Sequence, residues 1–233
     1  MFEISFLNGN SQIKCFTFVF ILLVCFTRNK KTSDFMKNLI LIDNPYFIVD
    51  MMYARSDNII GRDVYNEIGF GNKAYVHKDL WSALLKIVPF LEKNNLKMRI
   101  CDAYRPPLAH QKLLEVVPTG LFAQTPEKSN HCHGTAIDVC LCYKNGNNLC
   151  YPTQIDAYEQ CFQEQICRGE FEKFAQHLLR ARHDYMEADA KEIENRQVLK
   201  CLMKSVGFEP IDHEWWHYNL VNWQNYPLID WKA

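Results

Sequence analysis

Ser129-Asn130-His131-Cys132-His133-Gly134-Thr135-Ala136-Ile137-Asp138-Val139-Cys140-Leu141 changes character half-way. As far as Gly134 it is polar and turn-like. From Thr135 to Leu141 it alternates with the period of a half-buried strand, which sets Ala136, Asp138 and Cys140 on one face. A carboxylate on the buried face of a strand needs a partner, because an unpaired charge out of water is costly. The stretch therefore predicts a strand whose buried face must be completed by polar groups from elsewhere in the chain.

Working upstream, Leu96, Met98 and Ile100 alternate with Lys97, Arg99 and Cys101, again a strand pattern. That strand delivers Asp102-Ala103-Tyr104-Arg105. Pro106 and Pro107 then stop it and open a short helix through Leu114, leaving Arg105 at a strand-to-helix corner. Further back, Val76 to Leu91 places Leu80, Leu84, Ile87 and Leu91 on one helical face, with Pro89 kinking or ending the helix. Downstream, residues 157–190 are charged and helix-compatible. Val198, Leu199, Leu202, Met203 and Val206 form an apolar stripe ended by Gly207, and Glu214 to Val221 is rich in strand-forming aromatics. This order predicts an α+β fold, a mainly antiparallel sheet flanked by helices. No repeat, low-complexity block or linker divides residues 37–233, which read as one domain.

At 233 residues and 48% hydrophobic content the chain can bury a sizeable core as one domain with an appendage. A net charge of −1 and a pI near 6.7 provide no basic field for a phosphate backbone, which argues against a nucleic-acid partner. The ten cysteines are irregularly placed, several sit in apolar runs, and none forms a CxxC pair, so mostly reduced thiols are expected. Residues 1–35 read as an N-terminal extension outside the fold. Within it, Cys15 to Thr27 has the length of a signal-peptide apolar core, yet it is short for a membrane span and is followed by Arg28, Lys30 and Lys31 without a small-x-small cleavage site. A start at Met36 would remove the run altogether. The favoured expectation is a cytoplasmic chain without a stable membrane span. Export, or anchoring through residues 15–27, is the alternative, and the oligomeric state is not legible.

Two clusters concentrate metal-binding chemistry: the histidines and aspartate of Ser129 to Asp138, and His213-Glu214-Trp215-Trp216-His217. Zinc takes neutral imidazoles and carboxylates tetrahedrally, and a catalytic site leaves the fourth position to water, so two histidines and one aspartate suffice. The second cluster matches the spelling of the helical zinc motif His-Glu-x-x-His. Pro210 just before it and its aromatic run argue instead for a strand. On a regular strand Glu214 and His217 point to opposite faces, so a bulge or loop entry must re-aim one of them.

The combination S-x-H-x-x-G-x-A-x-D followed far downstream by E-x-W-H resembles the VanX-type zinc D-alanyl-D-alanine dipeptidases. Tyr53-Ala54-Arg55-Ser56-Asp57-Asn58 with Gly61, Asp102-Ala103-Tyr104-Arg105-Pro106, Asn195-Arg196 with Leu199 and Met203, and Gly207-Phe208 extend the resemblance over residues 40–222. It implies the zinc D-Ala-D-Ala peptidase fold, Hedgehog/DD-peptidase-like, with one Zn²⁺ per chain held by His131, Asp138 and His217. It further implies Glu214 as catalytic acid/base, Arg105 as stabiliser of the transition state, and Ser129 and Asp156 in the substrate pocket. Cys132 and His133 stand between His131 and Gly134 as competitors for the metal, and the preference for His131 rests on the resemblance. The block Tyr151 to Asp156 departs from the family's M-G-T-x-F-D at three positions. The implied reaction is hydrolysis of the D-alanyl-D-alanine dipeptide by metal-activated water, with Glu214 accepting its proton and passing it to the leaving amine. The rivals are a D,D-carboxypeptidase or endopeptidase of the same fold acting on peptidoglycan stem peptides, and a non-catalytic zinc-stabilised binding module.

Overall fold

A computed structural model describes residues 37–116, 123–155 and 171–231. Its main sheet has five strands in the order β2-β4-β5-β7-β6: β2 (Phe47–Val49), β4 (Leu96–Asp102), β5 (Ala136–Tyr143), β6 (Phe208–Ile211) and β7 (Glu214–Leu220). β2 runs parallel to β4, and the other pairings are antiparallel, as the alternating segments predict. β1 (Leu39–Leu41) and β3 (Tyr75–His77) form a separate antiparallel pair. Around the sheets lie α1 (Val64–Glu67), α2 (Lys78–Leu85), α3 (Val88–Lys93), α4 (Pro107–Leu114), α5 (Phe171–Ala181) and α6 (Ala190–Ser205). The fold is thus a mixed α and β domain.

In β4, Met98 and Ile100 are fully buried, each worth about 2 kcal/mol of hydrophobic burial. α4 begins at Pro107, where a missing N–H leaves no helical bond unmade. α6 starts with the Glu192 carboxylate accepting from Asp189 N at 3.2 Å. Its Leu199, Leu202 and Met203 are buried, Val198 and Val206 partly so, and Gly207 follows at φ +98°. Of residues 157–190, the described part holds α5 and a connection into α6, and residues 157–170 lie outside the described residues.

One expectation needs correcting. Val76 to Leu91 is not a single helix. Tyr75–His77 pair with Leu39–Leu41 as β3, and the helical remainder divides into α2 and α3, with Pro89 in the first turn of α3 rather than at an end. Strand pairing overrides the helical period at Val76, and the absent Pro89 N–H prevents one continuous ladder. The four apolar positions still face inward, since Leu80, Leu84, Ile87 and Leu91 are fully buried.

Candidate metal centre

β5 and β7 are neighbours, and their register sets Asp138 directly opposite His217. His131 arrives from the 3-10 turn Asn130–His133 that feeds β5. The turn closes at Gly134, whose φ of +69° suits glycine; a Cβ there would lie 3.0 Å from Leu39 Cδ2 and 3.2 Å from the His77 backbone N. The chain thereby reverses tightly enough to bring the histidine back over its own strand.

His131, Asp138 and His217 are all buried, and one ligand atom from each lies within 4.8 Å of the others. His131 Nε2 is 3.1 Å from His217 Nδ1, His217 Nδ1 is 2.9 Å from Asp138 Oδ1, and His131 Nε2 is 3.5 Å from Asp138 Oδ2. A tetrahedron with metal–ligand bonds of ~2.0 Å has edges of about 3.3 Å. The three separations bracket that value, so the donor set fits a zinc-sized ion. The outward nitrogens are held as well. His131 Nδ1 donates to Ala103 O at 2.7 Å, which leaves Nε2 with its lone pair inward, and the Asn130 side-chain amide lies 3.0 Å from His217 Nε2.

Electrostatics agree with the geometry. Burial alone would raise the Asp138 carboxyl, but the two imidazoles override it and hold the group far below the usual carboxylate range. Burial lowers His217; His131 is likewise opposed by burial but ends raised through Asp138. Asp138 is therefore an ionised carboxylate in a buried place, available to a cation.

The two competitors point elsewhere. His133 has both ring nitrogens against backbone carbonyls, Nδ1 at 2.7 Å from Tyr226 O and Nε2 at 3.0 Å from Glu127 O. Cys132 is fully buried, and that burial pushes its thiol up to about 12. None of the six described cysteines, Cys132 included, is paired.

Glu214 reaches the centre through a bulge. Pro210 faces Tyr218, so a regular β6–β7 ladder would put His217 opposite Ile211; instead Glu214 stands there. The extra residues turn Glu214 and His217 towards the same cavity, with Glu214 Oε2 3.8 Å from His217 Nδ1. The segment is a strand, so the helical His-Glu-x-x-His reading fails, and His213 is left exposed at the cavity rim.

Arg105 occupies the predicted corner and is buried. Its Nε and Nη2 donate to Asp102 Oδ2 at 2.9 and 2.6 Å, its Nη1 lies 3.3 Å from His110 Nδ1, and the guanidinium sits 5.1 Å from the Tyr53 ring centre. Asp102 Oδ1 accepts in turn from Tyr65 Oη at 2.5 Å and from Ala103 N at 2.9 Å. Asp102, Tyr65 and Asn130 are supporting residues whose roles no sequence pattern revealed. The one available signal was the i, i+3 spacing of Asp102 and Arg105.

Arg105, Ser129, Glu214 and the three clustered residues share one cavity of about 170 Å³. Ser129 is buried in its wall. Asp156 lies outside the described residues. The preceding Tyr151 stacks on Trp215 at 4.0 Å, and both line a second cavity of about 660 Å³.

A buried His-Asp-His cluster beside a carboxylate, in a cavity on a sheet, is the donor set and proton acceptor that a metallopeptidase uses. Comparison narrows this to one family. The family described as D-ala-D-ala dipeptidase matches residues 44–228, and the chain belongs to it. It is similar to the D-alanyl-D-alanine dipeptidase of Escherichia coli (strain K12), with 30% identity over 186 residues that cover 79% of this chain and 84% of that protein. No described helix is long and apolar enough to cross a membrane, and residues 15–27 lie outside the described residues.

Proposed function

We propose that this chain is a zinc dipeptidase that hydrolyses free D-alanyl-D-alanine to two D-alanines, with zinc held by His131, Asp138 and His217. The observation that carries the reading is the ligand triangle of 2.9 to 3.5 Å sharing its small cavity with Glu214. Zinc in such a site supplies the Lewis acidity that brings a water molecule's pKa towards neutrality. Glu214 accepts the proton of the attacking water and returns it to the leaving amine. Arg105, fixed by Asp102, directs its positive charge at the oxygen where negative charge develops. Ser129 and Asp156 contact the substrate, Asp156 pairing with its ammonium group. The catalytic unit comprises residues 37–233 in the zinc D-Ala-D-Ala peptidase fold, and residues 1–35 are an extension outside it.

The test is hydrolysis of D-Ala-D-Ala by the zinc-loaded protein, with its N-acetyl derivative and a stem pentapeptide alongside. Turnover of the free dipeptide that stops on chelation and resumes with zinc supports the reading. Equal kcat/KM on all three substrates would point to a carboxypeptidase instead, and chelator-resistant turnover would remove the metal from the mechanism.

A further inference from the structure

The proposed substrate is a zwitterion, and the 170 Å³ cavity has to accept its carboxylate as well as its ammonium group. With Asp138 spent against the metal's charge, Glu214 still lines that cavity and sets a like charge before a carboxylate that enters it. Apart from the clustered histidines, three described side chains on the wall can carry positive charge: Arg105, Lys128 and His213.

Two of these are poorly placed for the task. Arg105, held by Asp102 through two donors at 2.9 and 2.6 Å with His110 against its third nitrogen, is already assigned to the oxygen where negative charge develops and cannot also serve the substrate's far end. His213 stands at the exposed rim, and the partial desolvation of its ring there, with Arg182 against an opposing Asp212, holds it below its ordinary value, so it is neutral near pH 7. Lys128 differs from both. It is exposed at the cavity and forms no ion pair with any described residue; among the described residues its ammonium has one polar contact, Gln124 Oε1 at 3.4 Å, longer than an ordinary hydrogen bond. Its backbone is nonetheless fixed, since Lys128 N donates to Thr125 O at 3.0 Å and the next residue, Ser129, donates to Pro126 O at 3.1 Å. A positioned backbone with an uncommitted ammonium on a flexible stem is suited to meeting an anion that arrives with the ligand.

We infer that Lys128 is a substrate-binding residue that takes the free carboxylate of the C-terminal D-alanine, which makes a free acid at that end a condition of tight binding. The inference rests on the dipeptidase reading and adds to it the group that recognises the substrate's far end. Because Lys128 acts on ground-state binding as well as on the transition state, its loss falls on KM rather than on kcat.

The experiment compares D-Ala-D-Ala with D-alanyl-D-alaninamide in the zinc-loaded wild type, Lys128→Met and Lys128→Arg. The wild type should prefer the acid by roughly 10- to 100-fold, the range expected for one partly desolvated charge pair. Lys128→Met should raise KM for the acid by a similar factor with kcat little changed, leave the amide unaffected, and be largely rescued by Lys128→Arg. A merely structural lysine would weaken both substrates alike, and that result, or no change with either, overturns the inference. If the wild type cleaves neither compound, the dipeptidase reading fails. The carboxylate site is then decided by calorimetric titration of both compounds into zinc-loaded Glu214→Gln, with and without Lys128→Met. A preference for the acid that disappears with Lys128→Met upholds it, and equal or undetectable binding of acid and amide refutes it.

Discussion

Replacing Asp102 by asparagine tests how much of the site depends on a residue that touches neither metal nor substrate. The carboxylate accepts four hydrogen bonds, two from Arg105 and one each from Tyr65 Oη and Ala103 N. An asparagine offers one oxygen. With that oxygen towards Arg105, the amide nitrogen meets the Ala103 N–H and strands it, at a cost of about 1–3 kcal/mol. Arg105 meanwhile loses the anion that offsets its burial, and breaking a buried pair in this way costs about 3–5 kcal/mol. Taken together, guanidinium unfolding should show a loss of at least ~3 kcal/mol. Once its support is gone, Arg105 loses its aim, and kcat/KM for D-Ala-D-Ala should fall by about 10²- to 10³-fold, the effect of losing one oxyanion donor. Zinc content should remain near one per chain, because His131 Nδ1 is held by Ala103 O at 2.7 Å while Asp102 is 3.8 Å away. A folded, zinc-loaded Asp102→Asn enzyme with wild-type kcat/KM would refute the claim that Asp102 positions Arg105.

Glu214→Gln should keep its zinc and lose turnover by about 10²- to 10⁴-fold, as expected when a general base is removed; near-normal rates in metal-loaded protein would exclude Glu214 from proton transfer. His217→Ala should lose zinc and activity together, whereas His213→Ala, at the rim, should retain both; loss of zinc from His213→Ala as well would restore the reading in which both histidines bind metal. Gly134→Ala imposes a left-handed backbone costing about 1–2 kcal/mol and forces a methyl against the His77 backbone at 3.2 Å. Thermal unfolding should fall by roughly 5 °C or more, and an unchanged Tm would show that the turn relaxes freely.

Much of the fold was legible because single residues with strong local preferences mark its corners. Pro106 and Pro107 locate the start of α4, Gly207 ends α6, and Thr135 to Leu141 leads into the expected strand, although β5 is buried on both faces rather than on one. The two clusters were visible because imidazole and carboxylate groups concentrate in them, while the choice of His131 over His133 came from the family resemblance. What could not be read depends on register and on distance along the chain. The bulge that re-aims Glu214 could be required from the sequence but not located, because it exists only relative to β6. Tyr65 reaches Asp102 across 37 positions, and no local pattern connects them. At Val76 the helical period was present, yet pairing with Leu39–Leu41 prevailed, a tertiary preference that periodicity does not contain.

The register that sets Asp138 opposite His217 gives the metal a mechanical as well as a chemical place. Two of the three proposed ligands belong to adjacent strands, so an ion bound there would cross-link β5 to β7 in the middle of the sheet, beside β6 at the edge. Binding free energy of that kind is also folding free energy. Removing the ion should therefore loosen β6 and β7 before β2 and β4. Amide hydrogen exchange would register this as faster labelling of Phe208–Leu220 in chelated protein, with Leu96–Ile100 still protected. With zinc bound as proposed, the hydrolytic centre and the seam between β5 and β7 are one locus, and zinc supply should govern how long the protein survives proteolysis as well as how fast it turns over.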